Sequence, residues 1–450
     1  MRLPRWALWL SLALFWVTPA WGQSPPAAAG GPLTLEEAVD QSLKHNRLVR
    51  SAALEVTKAG HLLAAAATQR YPSFNLSILE SKLLTPMDFR FNRGVFGTFP
   101  GIGPVPATDT TIGTPRRLTT YIYGNITQPL SQQYKIGIGL KLQEAVRDAA
   151  QEKLRAQRQA TVSEVKRLYY GILQAESALA ANDEALKFLR ELDRLSERLV
   201  REQSAPKWEN LEVKAKLART EQDLLALRHV LATQKEQLNH VMGRNVLTAF
   251  SVAPVPEAAP LENDLEGARQ RALRQRPEAN ESRLRTKQAE YDRRLKQAEY
   301  IPDVSLMVDY IRTFEYEVIP QNFAFAGLIL TWEPFDWGRK RHQLAEKTEA
   351  LAQARHLSKE AESQILIEVN SKFRQLQEAR GQLKVTQMAQ AATREKLREM
   401  MQKFKTGAAL LKDLLQTEAS LAEGNHAHQK ALLAVWLTRA EYEKALGEDK

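Results

Sequence analysis

Two hydrophobic periods alternate along this chain. Over most of its length apolar residues recur at helical spacing, as in the stripe Val165, Leu168, Ile172, Ala175, Leu179, Leu186 and Leu189. The intervals of three and four are those of a coiled-coil seam. At Pro72 and again at Pro302 the period drops to two. Phe74, Leu76 and Ile78 then alternate with Ser73, Asn75 and Ser77, and Val304, Leu306, Val308 and Tyr310 alternate with Asp303, Ser305 and Asp309. Such alternation predicts strands with one apolar and one polar face. Segment 117–129 alternates more loosely, and 321–333 is apolar on both sides. The pattern predicts strands over about 71–83, 117–129, 301–314 and 321–333, and helices over about 34–70, 138–203, 207–242, 264–299, 340–404 and 409–446. The helix over 138–203 would be on the order of 100 Å long at ~1.5 Å per residue. No compact domain buries such a rod.

The pattern also repeats. At an offset of 230, Leu35 meets Leu265, Ala38 meets Ala268, Leu43 meets Leu273 and Pro72 meets Pro302, without a gap. After the strands the offset falls to about 204, so that Pro129 nears Pro334, Val165 meets Val369, and Gly243 meets Gly447. The change lies in the Gly-, Pro- and Thr-rich stretch 90–117, which reads as an enlarged loop at a strand tip of the first half. Internal similarity at this scale predicts two helix–strand–strand–helix repeats, at 23–249 and 264–450, with 250–263 as linker.

Composition narrows the class. Arg2 and Arg5, the apolar run 6–17 and the small residues at 20–22 read as a secretory signal peptide over 1–22, with a retained membrane anchor as the alternative. The formal charge of +10 is interleaved in sign along predicted helices, which indicates solvated faces and no nucleic-acid partner. The chain has no cysteine, so it holds neither a disulfide nor a lipid on an N-terminal cysteine. Beyond the N-terminus no apolar run reaches the ~18 residues of a spanning helix. Entry into a membrane would therefore use strands, whose backbone groups must all be paired in lipid. Four strands fall short of the minimum of about eight in a closed barrel, so a membrane reading requires several copies. A soluble sandwich, or a small sheet capping a helical bundle, is the alternative for the strands.

The duplicated "LTLEEAV" opening at 33–39, the proline-led strands, "EPFDWGRKRHQLAEKTEA" at 333–350 and "KFKTGAALLKDLLQTEASLAEG" at 403–424 together resemble the outer membrane efflux protein family, TolC-like exit ducts. The resemblance runs from about 33 to 447, and its specificity lies in the order of the motifs, which occurs twice. It implies a mainly α fold with a β-barrel portion: a long α-helical periplasmic barrel carrying four transmembrane strands per chain, closed as a homotrimer into a 12-stranded barrel. It implies placement in the cell outer membrane with helices extending into the periplasm. It further implies a passive duct of a tripartite efflux pump or type I secretion system, whose partners are a periplasmic adaptor and an inner-membrane transporter. Lipid-facing positions would be Phe74, Leu76, Ile78, Val304, Leu306 and Val308.

The same resemblance implies a gate at the tapered helix tips. Asp413 would project into the closed pore as an acidic ring. The family's second acidic position falls on Gln416 and its basic latch position on Ala409, so Leu410, Leu411 and Leu414 would close the constriction by packing. In the first repeat Glu209 aligns with Asp413, Gln203 replaces the expected glycine, Ser204 suits a helix cap and Pro206 the first turn. Gly407 suits a left-handed helix end. Trp208 either packs at the tip or faces a partner. These two tips, including Ser204, Pro206, Trp208 and Gly407, are the expected adaptor-docking sites. No catalytic constellation, cofactor motif or metal site stands out. His426 and His428 are two residues apart and would diverge on a helix. The competing class is a soluble periplasmic coiled-coil scaffold or adaptor built on the same seams.

Overall fold

The computed structural model describes residues 31–85, 88–113, 118–203, 206–256, 264–314, 321–406 and 408–448. Its first half runs α1 (Leu35–His45), α2 (Arg47–Thr68), β1 (Ser73–Lys82), a ribbon of β2 (Asp88–Phe91), β3 (Thr98–Phe99), β4 (Gly103–Pro104) and β5 (Thr110–Gly113), then β6 (Leu118–Pro129), α3 (Gln132–Arg201) and α4 (Lys207–Val241). The second half runs α5 (Leu265–Gln275), α6 (Pro277–Ala298), β7 (Asp303–Thr313), β8 (Asn322–Thr331), α7 (Arg339–Lys405) and α8 (Leu411–Leu446). Helix α3 has 70 residues and α7 has 67, each about 100 Å at ~1.5 Å per residue. Pro72 and Pro302 stand between a helix and the strand it feeds, where the missing N–H and fixed φ stop helix propagation.

Two expectations need correction. The helices expected over 34–70 and 264–299 are each two helices. The first bends at Asn46 (φ −61°, ψ 129°) and the second at Arg276 (φ −63°, ψ 128°). Helix α3 begins at Gln132, not near 138. Gly137 and Gly139 lower helix propensity there, but burial of Ile138 and Leu140 overrides it. The enlarged loop lies between β1 and β6, where it was expected, and carries paired strands. Strand β2 pairs antiparallel with β5, and β3 with β4, as one ribbon at the end of the first hairpin.

The two bends share one geometry and use different chemistry. The Asn46 side chain accepts from the N–H groups of Leu48 (2.9 Å) and Val49 (3.1 Å) and donates to the Val241 carbonyl (2.8 Å). That satisfies donors which a helix N-terminus otherwise leaves unpaired. At the second bend, Pro277 supplies a first-turn residue that needs no partner. The Arg276 guanidinium, 7% exposed, binds Glu278 (3.1 Å) and Glu368 on α7. A left-handed glycine ends the last helix of each half and seats against these bends. A Cβ on Gly243 (φ +70°) would lie 2.3 Å from the His45 carbonyl oxygen, and one on Gly447 (φ +83°) 2.9 Å from the Arg276 nitrogen. Only glycine meets both demands.

The core sits at this waist in two related clusters. In one, Ala38 of α1 packs with Val165, Leu168 and Ile172 of α3 and Leu238 of α4; in the other, Ala268 of α5 packs with Val369 and Leu376 of α7 and Leu446 of α8. The small residues on α1 and α5 let the long helices approach. Seam residues Val165, Leu168, Ile172, Ala175, Leu186 and Leu189 are buried, and Leu179 is half-buried. Helix starts are capped in both halves: Thr34 and Glu37 form a reciprocal capping box (3.2 and 3.0 Å), and Asp264 accepts from Gly267 N–H at 2.9 Å. The linker is tied in where Ala253 N–H bonds to Leu33 O (2.9 Å) and the Tyr169 hydroxyl reaches the carbonyls of Leu33 and Ala253. The proposed signal peptide lies outside the described residues.

Candidate functional site

The strands form one antiparallel sheet in the order β1-β6-β7-β8, so the second strand of the first hairpin pairs with the first strand of the second. Its register sorts the residues into two faces. One row across the sheet carries Phe74, Ile126, Val308 and Ala326; the next carries Leu76, Gly124, Tyr310 and Ala324. Leu306 opposes Leu328, and Val304 opposes Leu330, on the same face. Phe74, Leu76 and Ile78 are 67%, 59% and 67% exposed, and Leu306 and Val308 are also exposed. Val304 is half-buried. All six residues expected to meet lipid thus share one nearly continuous apolar face. Water would penalise that face by roughly 25 cal/mol per Å².

The opposite face is polar at its centre. Asp309, 1% exposed, accepts hydrogen bonds from the Tyr123 hydroxyl and the Asn125 amide, each at 2.6 Å. These partners lie 184 and 186 residues away along the chain. The alternation marks Asp309 as polar, but only the pairing of β6 with β7 reveals what satisfies it. Strand β8, apolar on both sides in sequence, places Ala324, Ala326 and Leu328 on the apolar face and Phe323, Phe325 and Ile329 on the polar one.

The sheet is keyed to the helices where strands end. The Ser131 hydroxyl, just before α3, donates to Pro302 O and accepts from Val304 N–H, both at 2.8 Å. Lys135 pairs with Asp303 at 2.6 Å, 16% and 38% exposed. The Asp336 carboxylate accepts from the N–H groups of Gly338 (3.1 Å) and Lys340 (2.8 Å) and so starts α7. Exposed aromatics crowd this level: Tyr71, Tyr134, Trp332, Phe335 and Trp337. Amphipathic rings at such a boundary suit a bilayer interface.

At the far end, the structure places the expected gate residues on two helix turns. Leu410 is the N-cap of α8 and is 71% exposed. Asp413 lies in the first turn, exposed, with its N–H on Leu410 O at 3.1 Å; Gln416 is exposed one turn on. The carboxylate stands where a helix dipole favours negative charge. Glu209 lies in the first turn of α4, and Leu411 and Leu414 in that of α8; their side chains lie outside the described residues, as do Ser204 and Gly407 entirely. Pro206 is the N-cap of α4, one position before its expected place in the first turn, and no side chain caps that helix. Trp208 is 62% exposed, so packing within one chain does not cover it. Gln203 takes φ +57°, the left-handed conformation that a glycine would adopt without strain.

Charges elsewhere are paired along the rods. In the Arg276 clamp the guanidinium is 7% exposed. Burial opposes ionisation of Glu278, but the hydrogen bond and charge of Arg276 outweigh it and hold that carboxyl below its usual range. Among the described residues no group of His, Asp or Glu could hold a metal ion. No helix there is long and apolar enough to cross a membrane.

The four-stranded sheet has one apolar face, is open at both edges and is continued by rods of about 100 Å. The outer membrane efflux protein family model matches residues 38–244 and 268–448. The chain belongs to that family. Solved structures of similar fold include the CmeC outer membrane channel of Campylobacter jejuni, at 15% identity and a TM-score of 0.76, covering 92% of this chain and 85% of that one. VceC of Vibrio cholerae matches at 17% identity and a TM-score of 0.72, covering 92% and 96%. The open state of the MtrE outer membrane channel of Neisseria gonorrhoeae matches at 16% identity and 0.71, covering 92% and 89%. At these identities the likeness establishes the fold. No curated protein matches the chain. As a family member the chain is an outer-membrane channel component of efflux or secretion systems, with long periplasmic helices, and a conduit rather than a catalyst.

Proposed function

We propose that three copies of this chain close head-to-tail into a passive duct, with a 12-stranded barrel in the outer membrane and a helical barrel below it. The observation that carries this is the agreement of the free edges at every level. The sheet ends in β1 on one flank and β8 on the other. In the helical part, α3 packs with α2, α4, α6 and α8, and α7 packs with α6 and α8. The order is therefore α2-α3-α6-α7 near the sheet and α4-α3-α8-α7 toward the tips. One flank of the protomer is β1, α2 and α4; the other is β8 and α7. Each flank exposes apolar residues: Leu48, Leu54 and Leu62 on α2, against Leu357, Ile367, Val385 and Met388 on α7. Two unlike flanks imply a heterologous contact, which generates a ring if it closes. Because β1 and β8 run in opposite directions, their pairing continues the antiparallel sheet.

In this reading the tips at 201–209 and 405–416 meet a periplasmic adaptor by helix-to-helix contact, with Trp208 and Pro206 exposed for it. An inner-membrane transporter supplies the energy. Asp413 and Glu209 ring the constriction, and Leu410, Leu411 and Leu414 close it. Reconstituted in planar bilayers, the mature protein gives discrete conductance steps. A water-soluble mature chain that never conducts contradicts the reading.

A further inference from the structure

We infer that the wall of the duct inside the membrane carries an aromatic platform, Phe323 and Phe325, that binds aromatic organic cations in transit, with the buried Asp309 carboxylate behind it setting the sign of charge it attracts. The inference rests on the duct reading, which makes the polar face of the sheet the lumen. On that face the two phenylalanines of β8 stack with ring centroids 6.0 Å apart, each 43% exposed. Register places Phe325 opposite Asp309, and Phe323 opposite Ile311. A wall passing only hydrated ions or extended polypeptide has no use for two large apolar rings held toward water. Closing the ring does not cover them well. The strand that would join β8 is β1 of the next copy, whose residues on this face are Ser73, Asn75, Ser77 and Ser81, with Leu79 alone apolar.

Charge selects the class of ligand. On this face of the four described strands the acidic residues are Asp303 and Asp309, and no Lys or Arg occurs; Lys82 and Arg312 fall on the other face. Asp303 is matched by Lys135 at 2.6 Å. Asp309 has neutral partners, the Tyr123 hydroxyl and the Asn125 amide, so its carboxylate is uncompensated among the described residues. Repeated around a ring, these carboxylates attract cations, and the adjacent ring faces favour cations that carry an aromatic group.

The test uses the intact channel in planar bilayers and two blockers of equal charge and similar bulk, benzyltributylammonium and tetrabutylammonium. The expected result is that the benzyl cation half-blocks the current at a concentration on the order of fivefold below that of the aliphatic one, the worth of one aromatic contact. In Phe323→Ser/Phe325→Ser that ratio falls to about one, whereas Asp309→Asn weakens block by both cations alike. Benzenesulfonate, an aromatic anion, does not block. Equal potency of the two cations on the unaltered channel overturns the inference, as does a ratio unchanged in the double variant. If the double variant yields no trimer, Phe325→Leu keeps apolar volume without the ring, and a preserved ratio there shows that the rings serve subunit packing and overturns the platform. Failure of the unaltered chain to conduct at all would sink the duct reading instead.

Discussion

The two halves of the chain build one backbone with different residues. At the waist, Asn46 makes the bend with three neutral hydrogen bonds to backbone. Arg276 makes the same bend with a buried guanidinium and two carboxylates, one of which belongs to α7. Between paired strands the halves diverge further, since the first inserts the β2–β5 ribbon between β1 and β6, whereas only eight residues separate β7 from β8. The lesson is that geometry at the waist is constrained by packing, since each bend seats against the long helix of its half and the left-handed glycine that ends that half. The chemistry that achieves the bend, and the loops beyond the membrane, are free to differ.

The largest effect expected is one that treats the halves alike. Leu76 and Leu306 are 230 residues apart and occupy equivalent places on the apolar face. Leu76→Arg and Leu306→Arg should each cost about 2–4 kcal/mol of membrane stability, read as loss of heat-resistant trimer on gels. A normal trimer yield in either would show that the faces are assigned backwards.

The next effect separates the halves by degree. Gly243→Ala and Gly447→Ala both place a Cβ at a left-handed position, which costs about 1 kcal/mol or more. Gly243→Ala also drives it to 2.3 Å from a carbonyl oxygen, against 2.9 Å from a backbone nitrogen for Gly447→Ala. Urea unfolding should therefore rank Gly243→Ala as the more damaging.

Smaller effects separate them in kind. Asn46→Ala loses a helix cap, about 1 kcal/mol. Arg276→Gln strands two carboxylates that are 44% and 41% exposed. Water reaches both, so the loss is about 1–2 kcal/mol, below that of a fully buried pair. Only the second bend should respond to acid. The Glu278 carboxyl is held below its usual range in the folded chain. Its contribution is complete above the unfolded value of about 4.3 and is lost as pH falls below it. Urea midpoints of the unaltered chain should drop over that interval, and those of Arg276→Gln should drop less. Equal slopes would remove the clamp from the account. Smallest is Asp413→Ala, which should reduce cation block and alter resting conductance; an unchanged current–voltage curve takes Asp413 out of the gate.

Much of this was legible in the amino-acid sequence because the signals were periodic. The change from helical to alternating spacing at Pro72 and Pro302 locates β1 and β7 to within two residues. The Leu–Ala seams locate the long helices. The bends went unread although Asn46, a cap former, and Pro277, which disfavours helical backbone at Arg276, mark them locally; the contacts with Val241 and Glu368 that hold them are tertiary. Strand β8 has no alternation to read, and its faces follow only from register with β7. At the tips, resemblance selected Asp413 and the leucines around it, and the proposed constriction would be made between copies of the chain, so it has no signal within one protomer.

The central claim is that unlike flanks of identical chains close after three. The chain has no cysteine of its own, so one introduced on β1 and one on β8 of the same chain, with the β8 position scanned along the strand, report strand-to-strand contact between copies. Oxidation in outer membranes, followed by denaturing electrophoresis, should give a ladder of one, two and three chains that ends there. A ladder that stops at two, or one that runs past three, would contradict the account.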